Sequence, residues 1–376
     1  MTMAAPTLRV RWQHADPLLL LATLGLTTLG VLLVTSATWK YPDQPSLTNN
    51  PWFMKQFAFA LLGVLIMVFC ASIQPAVMRV LAYPAYAGCL IALSVVLIVG
   101  HGANEYGANR WVEIAGVPIQ PSEPMKVALT LALAQLLSSR APTFRTILFS
   151  IVLTAPAVLL VYVEPDLGTA ISLLAIWFGM IVLSGAPARY VFGTIGLAAI
   201  ASPIIWMGLK DYMRERVMIF MNPQADALGQ GYNILQAQIS IGSGGMLGKG
   251  LFEGTQTQLR YLRVSHSDFI FSVLGEELGF IGAIGLFALF IVLIFRILRA
   301  YDGLEDRFAA LLCAGVAWMI AFPAIANIGA NVGLTPVVGI PLPFVSYGGS
   351  ALVSYLAGLG LVQGALMRRR FYRFEA

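Results

Sequence analysis

Charge is what this sequence lacks. Of its 376 residues only 11% are Asp, Glu, Lys or Arg, against about 25% in a soluble globular domain, and 58% are hydrophobic. That balance excludes a soluble enzyme and a disordered chain, and the apolar residues are spread too widely for a single anchor. Cysteine is scarce. Cys70, Cys89 and Cys313 all lie in apolar stretches, with neither metal-ligand nor disulfide-framework spacing, and read as small core residues. No secretory signal is read at the start: Arg9 and Arg11 precede an apolar run long enough to span a bilayer, with no small-residue cleavage site after it. Internal repeats and low-complexity tracts are absent too, so residues 1–376 read as one integral membrane domain. The net charge of +5 is a topology signal and no argument for nucleic-acid binding.

What is present is apolar runs. A bilayer-spanning helix takes about 20 mostly apolar residues. Ten runs qualify, at 16–38, 53–72, 76–100, 122–140, 146–163, 167–184, 190–209, 269–295, 307–328 and 346–367. The expected fold is an all-α polytopic membrane protein of ten transmembrane helices, which puts both termini on one side. Arg9, Arg11, Arg79, Arg140, Arg145, Arg189, Arg296, Arg299, Arg307, Arg368, Arg369, Arg370 and Arg373 share that side. Only Lys40, Lys55 and Arg110 occupy the short loops of the other. The positive-inside rule makes the arginine-rich side cytoplasmic. The long connection between the seventh and eighth spans, about 210–268, is then extracytoplasmic. Ile234, Leu235, Ile239, Met246 and Leu247 among its glycines predict short amphipathic helices or turns on the outer membrane surface.

Ionisable groups at membrane depth cost about 2.5–3.5 kcal/mol each on insertion scales, so those that occur tend to face a cavity or to pair. In "GANRWVEIAGVPIQPSEPMK", Glu123 and Lys126 stand at i, i+3 and can pair, and Pro121 and Pro124 suit a helix start. The group reads either as a cap with a structural ion pair or as an anion site. In the second reading Arg110 and Lys126 hold phosphate oxygens and Glu123 orients the lysine. In "EPDLGT", Asp166 either N-caps the sixth helix or faces the cavity, toward Lys126 or a divalent cation (Mg or Mn). Arg214 and Arg216 either snorkel toward headgroups or clamp a substrate phosphate. "GSGGMLGKG" fails as a nucleotide phosphate loop: Ser243 stands where the first glycine belongs and Gly250 where Ser or Thr should follow Lys249. No nucleotide is expected there. The stretch reads as a tight turn in which Lys249 is either structural or a phosphate contact.

The stretch "SHSDFIF", Ser265 to Phe271, opens the eighth span. Ser265 as N-cap with Asp268 at the third helical position makes an arrangement like a capping box. A second reading gives Asp268 chemistry. Ser272, Gly275 and Gly279 follow it along one helical stripe, where a neighbouring helix or a substrate can come close. A carboxylate at the head of that stripe sits at a water–lipid boundary, where desolvation raises its pKa toward the range of a general base. His266 reads as a solvated loop residue or as a hydrogen-bond partner of Asp268 or substrate. The Gly- and Pro-rich connection "NIGANVGLTPVVGIPLPFVSYGGSA" predicts one broken segment, with Asn327, Asn331, Ser346 and Tyr347 helping to close a groove.

In this order and spacing the motifs resemble the SEDS proteins (shape, elongation, division and sporulation), the RodA branch more than the FtsW branch. "RW…QPSEPMK", "EPDLGT", "DYMRERVM…NPQADALGQGYNILQAQISIGSGGMLGKG", "GTQTQLRYL…HSDFIFSVLGEELGFIG" and "PVVGIPLPFVSYGGSA" carry the likeness over nearly the whole chain. The resemblance implies a peptidoglycan glycosyltransferase of cell elongation in the bacterial cytoplasmic (inner) membrane. Such enzymes polymerise lipid II at the outer face into β-1,4-linked GlcNAc–MurNAc strands and release undecaprenyl pyrophosphate. It implies Asp268 as the essential acid and Glu123, Lys126 and Asp166 as cavity residues. It also implies a class B penicillin-binding protein (a transpeptidase) and the elongation machinery as partners. The chain departs from the family at Arg263 and Val264, where a Pro-Glu pair is usual, at Pro124, and at Ser267, where threonine is usual.

The chemistry expected is inverting glycosyl transfer. Asp268 takes the acceptor hydroxyl's proton, while Arg110, Lys126, Arg216 and a divalent cation near Asp166 stabilise the leaving pyrophosphate. Two rivals are a lipid II flippase and a non-catalytic scaffold for a transpeptidase. Against the flippase stands the single broken region, since transporters pair such breaks between repeats.

Overall fold

The computed structural model describes residues 14–39, 46–100, 110–114, 117–226, 229–262 and 264–368. Arg9, Arg11, Lys40, Arg263, Arg369, Arg370 and Arg373 lie outside the described residues. In chain order the helices are α1 (Pro17–Ala37), α2 (Pro51–Ser72), α3 (Pro75–Val99), α4 (Ser122–Ser139), α5 (Phe144–Val163), α6 (Leu167–Leu183) and α7 (Ala188–Gly208). The long connection holds α8 (Asp211–Met221), α9 (Gln230–Ser243) and the single turn α10 (Thr255–Gln258). Then come α11 (Ile270–Gly303), α12 (Arg307–Asn331) and α13 (Gly349–Met367). A small hairpin, β1 (Val112–Ile114) antiparallel to β2 (Val117–Ile119), precedes α4, with Val112 opposite Ile119. Each of the ten expected spans is a helix.

Local sequence sets where these helices start. Pro17, Pro51 and Pro75 occupy first-turn positions, where a missing N–H leaves no bond unmade. Asp16 accepts from Leu19 N (3.1 Å), and Asn50 from Trp52 N (2.9 Å), each satisfying an orphan donor. α1, α2, α3, α5, α11, α12 and α13 are long and apolar enough to cross a bilayer on composition alone. α4 is not, because Glu123 and Lys126 sit in its first turns. It is instead buried among α3, α5, α6, α12 and α13 and meets little lipid. α12 lies beside α11 and α6, and α13 against α2, so α4, α12 and α13 form the inner layer.

Two segments break this pattern. α11 is interrupted at Gly279, whose φ of 64° and ψ of −160° no helix contains. An unbroken helix would bond Phe280 N to Glu276 O and Ile281 N to Glu277 O. Here Phe280 N donates to Gly245 O (2.9 Å) and Ile281 N to Met246 O (3.1 Å), while Glu276 O and Glu277 O accept from Lys249 N and Gly250 N (both 3.0 Å). The glycine-rich loop is thus inserted into the helix break and satisfies it. A Cβ on Gly248 would lie 2.1 Å from Glu277 O, and its φ of 79° is left-handed, so glycine is required there twice over. The second break is the connection 332–348, buried at Leu342, Phe344 and Val345. It lies against α1 at Gly30, where a Cβ would come within 2.3 Å of Phe344 O.

Two expectations are corrected. Among the described residues there are two broken segments, since an apolar run continuing through Gly279 hides its break from hydropathy. The loop helices do not simply lie on a surface: α9 packs on α11, with Ala237 and Ser240 wholly buried. Gly248→Ala is expected to lower the thermal stability of the purified protein by about 1–3 kcal/mol, the cost of a left-handed non-glycine residue. Gly285→Ala, where no neighbouring atom lies within 4 Å of an added Cβ, is the control expected to be neutral or stabilising.

Candidate functional site

Asp268 stands two residues before α11, which begins at Ile270 without a side-chain cap. The capping box is therefore corrected: Ser265 Oγ donates to Ala37 O (3.3 Å), on the neighbouring α1. The backbone around Asp268 is fixed from two sides. Its carbonyl accepts from Nδ2 of Asn331 (2.8 Å) and of Asn327 (3.0 Å), both on α12. Asn327 Nδ2 also reaches Ile340 O (2.9 Å), which ties Asp268 to the broken connection. Ser346 Oγ donates to Ser267 O (2.6 Å) and accepts from Leu342 N (2.8 Å), while Tyr347 N donates to His266 O (2.8 Å). Ser346, Asn327 and Asn331 hold the site's backbone.

The Asp268 carboxylate is left half-buried at a narrow crevice lined by Asn327, Ala330, Val337 and Ile340. Ser267 Oγ donates to its Oδ1 (3.0 Å). Burial pushes its pKa above the usual carboxylate range. The Ser267 hydroxyl, Arg216 and Arg110 oppose the rise, and Asp166 adds to it. Arg216, on α8, reaches the crevice rim at Val337 O (3.5 Å).

Asp166 caps α6 and faces the same charges. Its Oδ1 accepts from Thr169 N (3.1 Å), and its Oδ2 from Thr169 Oγ1 (2.9 Å) and Gln120 Nε2 (3.0 Å). Arg110 Nη1 lies 4.0 Å from it, and the guanidinium also donates to Glu164 O (3.2 Å) and to Pro165 O. The cap and cavity readings of Asp166 are therefore one arrangement. Below it, Lys126 Nζ lies 2.8 Å from Glu123 Oε2, with the two residues 1% and 3% exposed, and 5.2 Å from the centre of the Tyr355 ring.

Arg110, Asp166, Arg216 and Asp268 are thus brought together, with Lys126 and Glu123 sealed beneath them. Arg214 is not: it caps α7 by donating to Met207 O (2.7 Å) and Trp206 O (3.1 Å). Lys249 is not either. Its Nζ is held by Glu276 Oε1 (2.8 Å) and Thr255 Oγ1 (2.7 Å), so it serves as the counter-ion of a buried carboxylate in the α11 break. His266 does not bond Asp268. Its ring lies 4.5 Å from that of Trp52, and burial lowers its pKa, which keeps it neutral. The stripe of Ser272 and Gly275 receives protein: Ser272 Oγ donates to Asn331 Oδ1 (2.7 Å), and Gly275 lies against Ile241 of α9.

The chain matches the FtsW/RodA/SpoVE family model, described as cell cycle protein, over residues 17–370. This chain belongs to that family. Peptidoglycan glycosyltransferase MrdB of Escherichia coli (strain K12) is 37% identical over 370 residues, 97% of each chain. Probable peptidoglycan glycosyltransferase FtsW of Geobacter metallireducens is 33% identical over 364 residues, 95% of this chain and 96% of that one. Among solved structures, a chain from a peptidoglycan synthase complex described as coordinating polymerization and crosslinking aligns with TM-score 0.79 at 32% identity, covering 94% of this chain and 98% of that one. Thermus thermophilus rod shape determining protein RodA aligns with TM-score 0.70 at 30% identity, covering 95% and 98%.

One residue of this FtsW/RodA/SpoVE protein escaped the sequence reading. Glu164 is 1% exposed, and among the described residues neither carboxylate oxygen has a hydrogen-bond partner. Burial, reinforced by Asp166 and offset by Arg110, raises its carboxyl to about 8. Its place in "EPDLGT" was visible, but its loss of water was not. Among the described residues no three His, Cys, Asp or Glu side chains form a metal-binding group. Mg-type sites commonly use one or two carboxylates completed by substrate phosphates, and the unpartnered Glu164 oxygens beside Asp166 fit that kind of site.

A carboxyl raised in the folded state binds more protons folded than unfolded between the two pKa values, so it costs stability as pH rises through that window. In metal-free buffer the thermal stability of the wild type is expected to fall between about pH 5 and 8, and Glu164→Gln to flatten that part of the fall. Equal slopes for the two proteins would show that Glu164 is solvated.

Proposed function

We propose that this chain is a peptidoglycan glycosyltransferase of cell elongation that polymerises lipid II, with Asp268 as its general base. The observation that carries the reading is a half-buried carboxylate with a raised pKa, its backbone carbonyl held by two asparagines and the acid itself faced by Arg216 and Arg110. The acceptor's GlcNAc 4-hydroxyl attacks the donor's anomeric carbon. The C1–O bond to pyrophosphate breaks with inversion, the new C1–O4 bond forms, and the hydroxyl proton passes to Asp268. Oδ2 is the oxygen left for this, since Ser267 donates to Oδ1. Undecaprenyl pyrophosphate leaves with the bonding electron pair and needs positive charge more than a proton. Arg110 and Arg216 supply it at the surface of the site, and Lys126, held by Glu123, supplies it from below through low dielectric. A divalent cation, Mg or Mn, held by Asp166 with Glu164 would add further positive charge for the pyrophosphate.

The arginines support an outward-facing site. Arg79, Arg140, Arg189, Arg307 and Arg368 stand at the helix ends opposite Asp268, so the positive-inside rule puts both termini in the cytoplasm and Asp268 at the outer face. A class B penicillin-binding protein, which crosslinks the strands this chain would make, is the partner proposed with the rest of the elongation machinery.

The second break, at Gly279, withdraws the argument that one broken segment speaks against a lipid II flippase. Product formation separates the two readings, because flipping makes no polymer. Purified wild type in detergent is expected to convert lipid II into glycan strands. Asp268→Asn is expected to cut that rate by about 10²–10⁴-fold, the usual worth of general base catalysis, with unchanged thermal stability. A folded Asp268→Asn protein polymerising at the wild-type rate would refute the proposal.

A further inference from the structure

At the end of the bundle away from Asp268, a groove of about 250 Å³ opens between α3, α4 and α5. α4 starts beside the site at Glu123 and runs away from it, so Arg140, at its C-cap, stands about 25 Å further along at 1.5 Å per residue. The walls are apolar. Tyr86 forms the floor, buried, with its hydroxyl donating to Leu153 O. Leu136 and Phe149 form the sides. Pro156, inside α5, has no N–H to offer the carbonyl of Val152 one turn before it, which opens the helix surface at the groove.

The mouth is cationic. The exposed Arg140 guanidinium lies 4.7 Å from the centre of the Phe149 ring. Of the other arginines at this end, Arg79 pairs with Asp306, Arg296 with Asp16 at 2.5 Å, and Arg368 donates to the carbonyls of Ala71 and Gly364; Arg145 and Arg299 also stand at this end, but Arg140 is the arginine that lines the groove. Among the described residues no carboxylate pairs with Arg140. An apolar cleft capped by an unpaired cation at the level of the headgroups is the complement of a lipid with a net negative head. The volume is below the roughly 300–1,000 Å³ of pockets that enclose a drug-sized ligand, and suits a stretch of acyl chain.

We propose that this groove binds an anionic phospholipid of the leaflet opposite the active site, one acyl chain lying against Leu136, Phe149 and Pro156 and the headgroup phosphate docking on Arg140. The site is separate from the glycosyl-transfer chemistry and does not depend on it.

The test uses the purified full-length protein in detergent, with phosphatidylglycerol, phosphatidylcholine and soluble glycerol 3-phosphate as probes. Binding is read by native mass spectrometry and by thermal stabilisation. Phosphatidylglycerol is expected to bind and stabilise. Phosphatidylcholine, whose ammonium offsets its phosphate, and glycerol 3-phosphate, which has no chain, are expected to do neither. Arg140→Gln is expected to weaken phosphatidylglycerol binding about fivefold, one basic contact to an anionic lipid surface. Val152→Trp, at a groove residue 61% exposed, fills the cleft and is expected to abolish binding without disturbing the core. Equal binding of phosphatidylcholine would overturn the proposal, and so would equal binding of glycerol 3-phosphate. So would unchanged phosphatidylglycerol affinity in both variants. Stabilisation by a single-span membrane protein in the groove, with no response to any lipid, would assign it to a helix and refute the lipid.

Discussion

Inside a bilayer every backbone N–H and C=O must find its partner within the protein, and this fold departs from continuous helix only where that demand is met from elsewhere in the chain. At Gly279 the glycine loop around Gly245 and Gly250 supplies the donors and acceptors that α11 gives up. Around residues 332–348 the side chains of Asn327 and Ser346 do so. The Asn327 amide that stitches the second break also grips the carbonyl of Asp268, with Asn331 beside it. The carboxylate thereby sits in a fixed place without itself serving as a helix cap, free to take and release a proton.

Charge is handled in two contrasting ways. Lys126 with Glu123, Lys249 with Glu276, and Arg296 with Asp16 are buried or half-buried ions joined to close partners, which is how a protein retains charge in a low-dielectric interior. Among the described residues Glu164 has no hydrogen-bond donor, and Asp268 has Ser267 at one oxygen. Both lie at the same end of the bundle as Arg110 and Arg216. Groups left short of partners cost stability and cluster where chemistry is done; Glu277, in the α11 break, is also short of a partner at Oε2 but lies away from the arginines.

Much of this was legible in the residues. The ten spans follow from composition summed over windows, because transfer of apolar side chains into lipid is nearly additive. The Glu123–Lys126 pair follows from its i, i+3 spacing, and the position of Asp268 just ahead of a helix from where the apolar run begins, while the stripe of small residues after it receives protein rather than substrate. What stayed hidden depends on partners distant in sequence. The break at Gly279 lies inside an uninterrupted apolar run, and the atoms that satisfy it belong to residues 245–250. Lys249 offers a phosphate contact by sequence, but Glu276, 27 residues away, holds it. His266 and Ser265 turn to Trp52 and Ala37, which no local pattern names, and the burial of Glu164 exists only in the folded chain.

The central claim is that Asp268 accepts the sugar hydroxyl's proton from a site that raises its pKa. It is tested most directly by the pH dependence of single-turnover polymerisation of lipid II by the purified protein. The account requires the rate to rise with pH through one ionisation above the ordinary aspartate value of about 3.9, and requires Asp268→Glu, if active, to shift that ionisation. A rate independent of pH across the range in which the folded enzyme is stable, or an ionisation unmoved by Asp268→Glu, would contradict it.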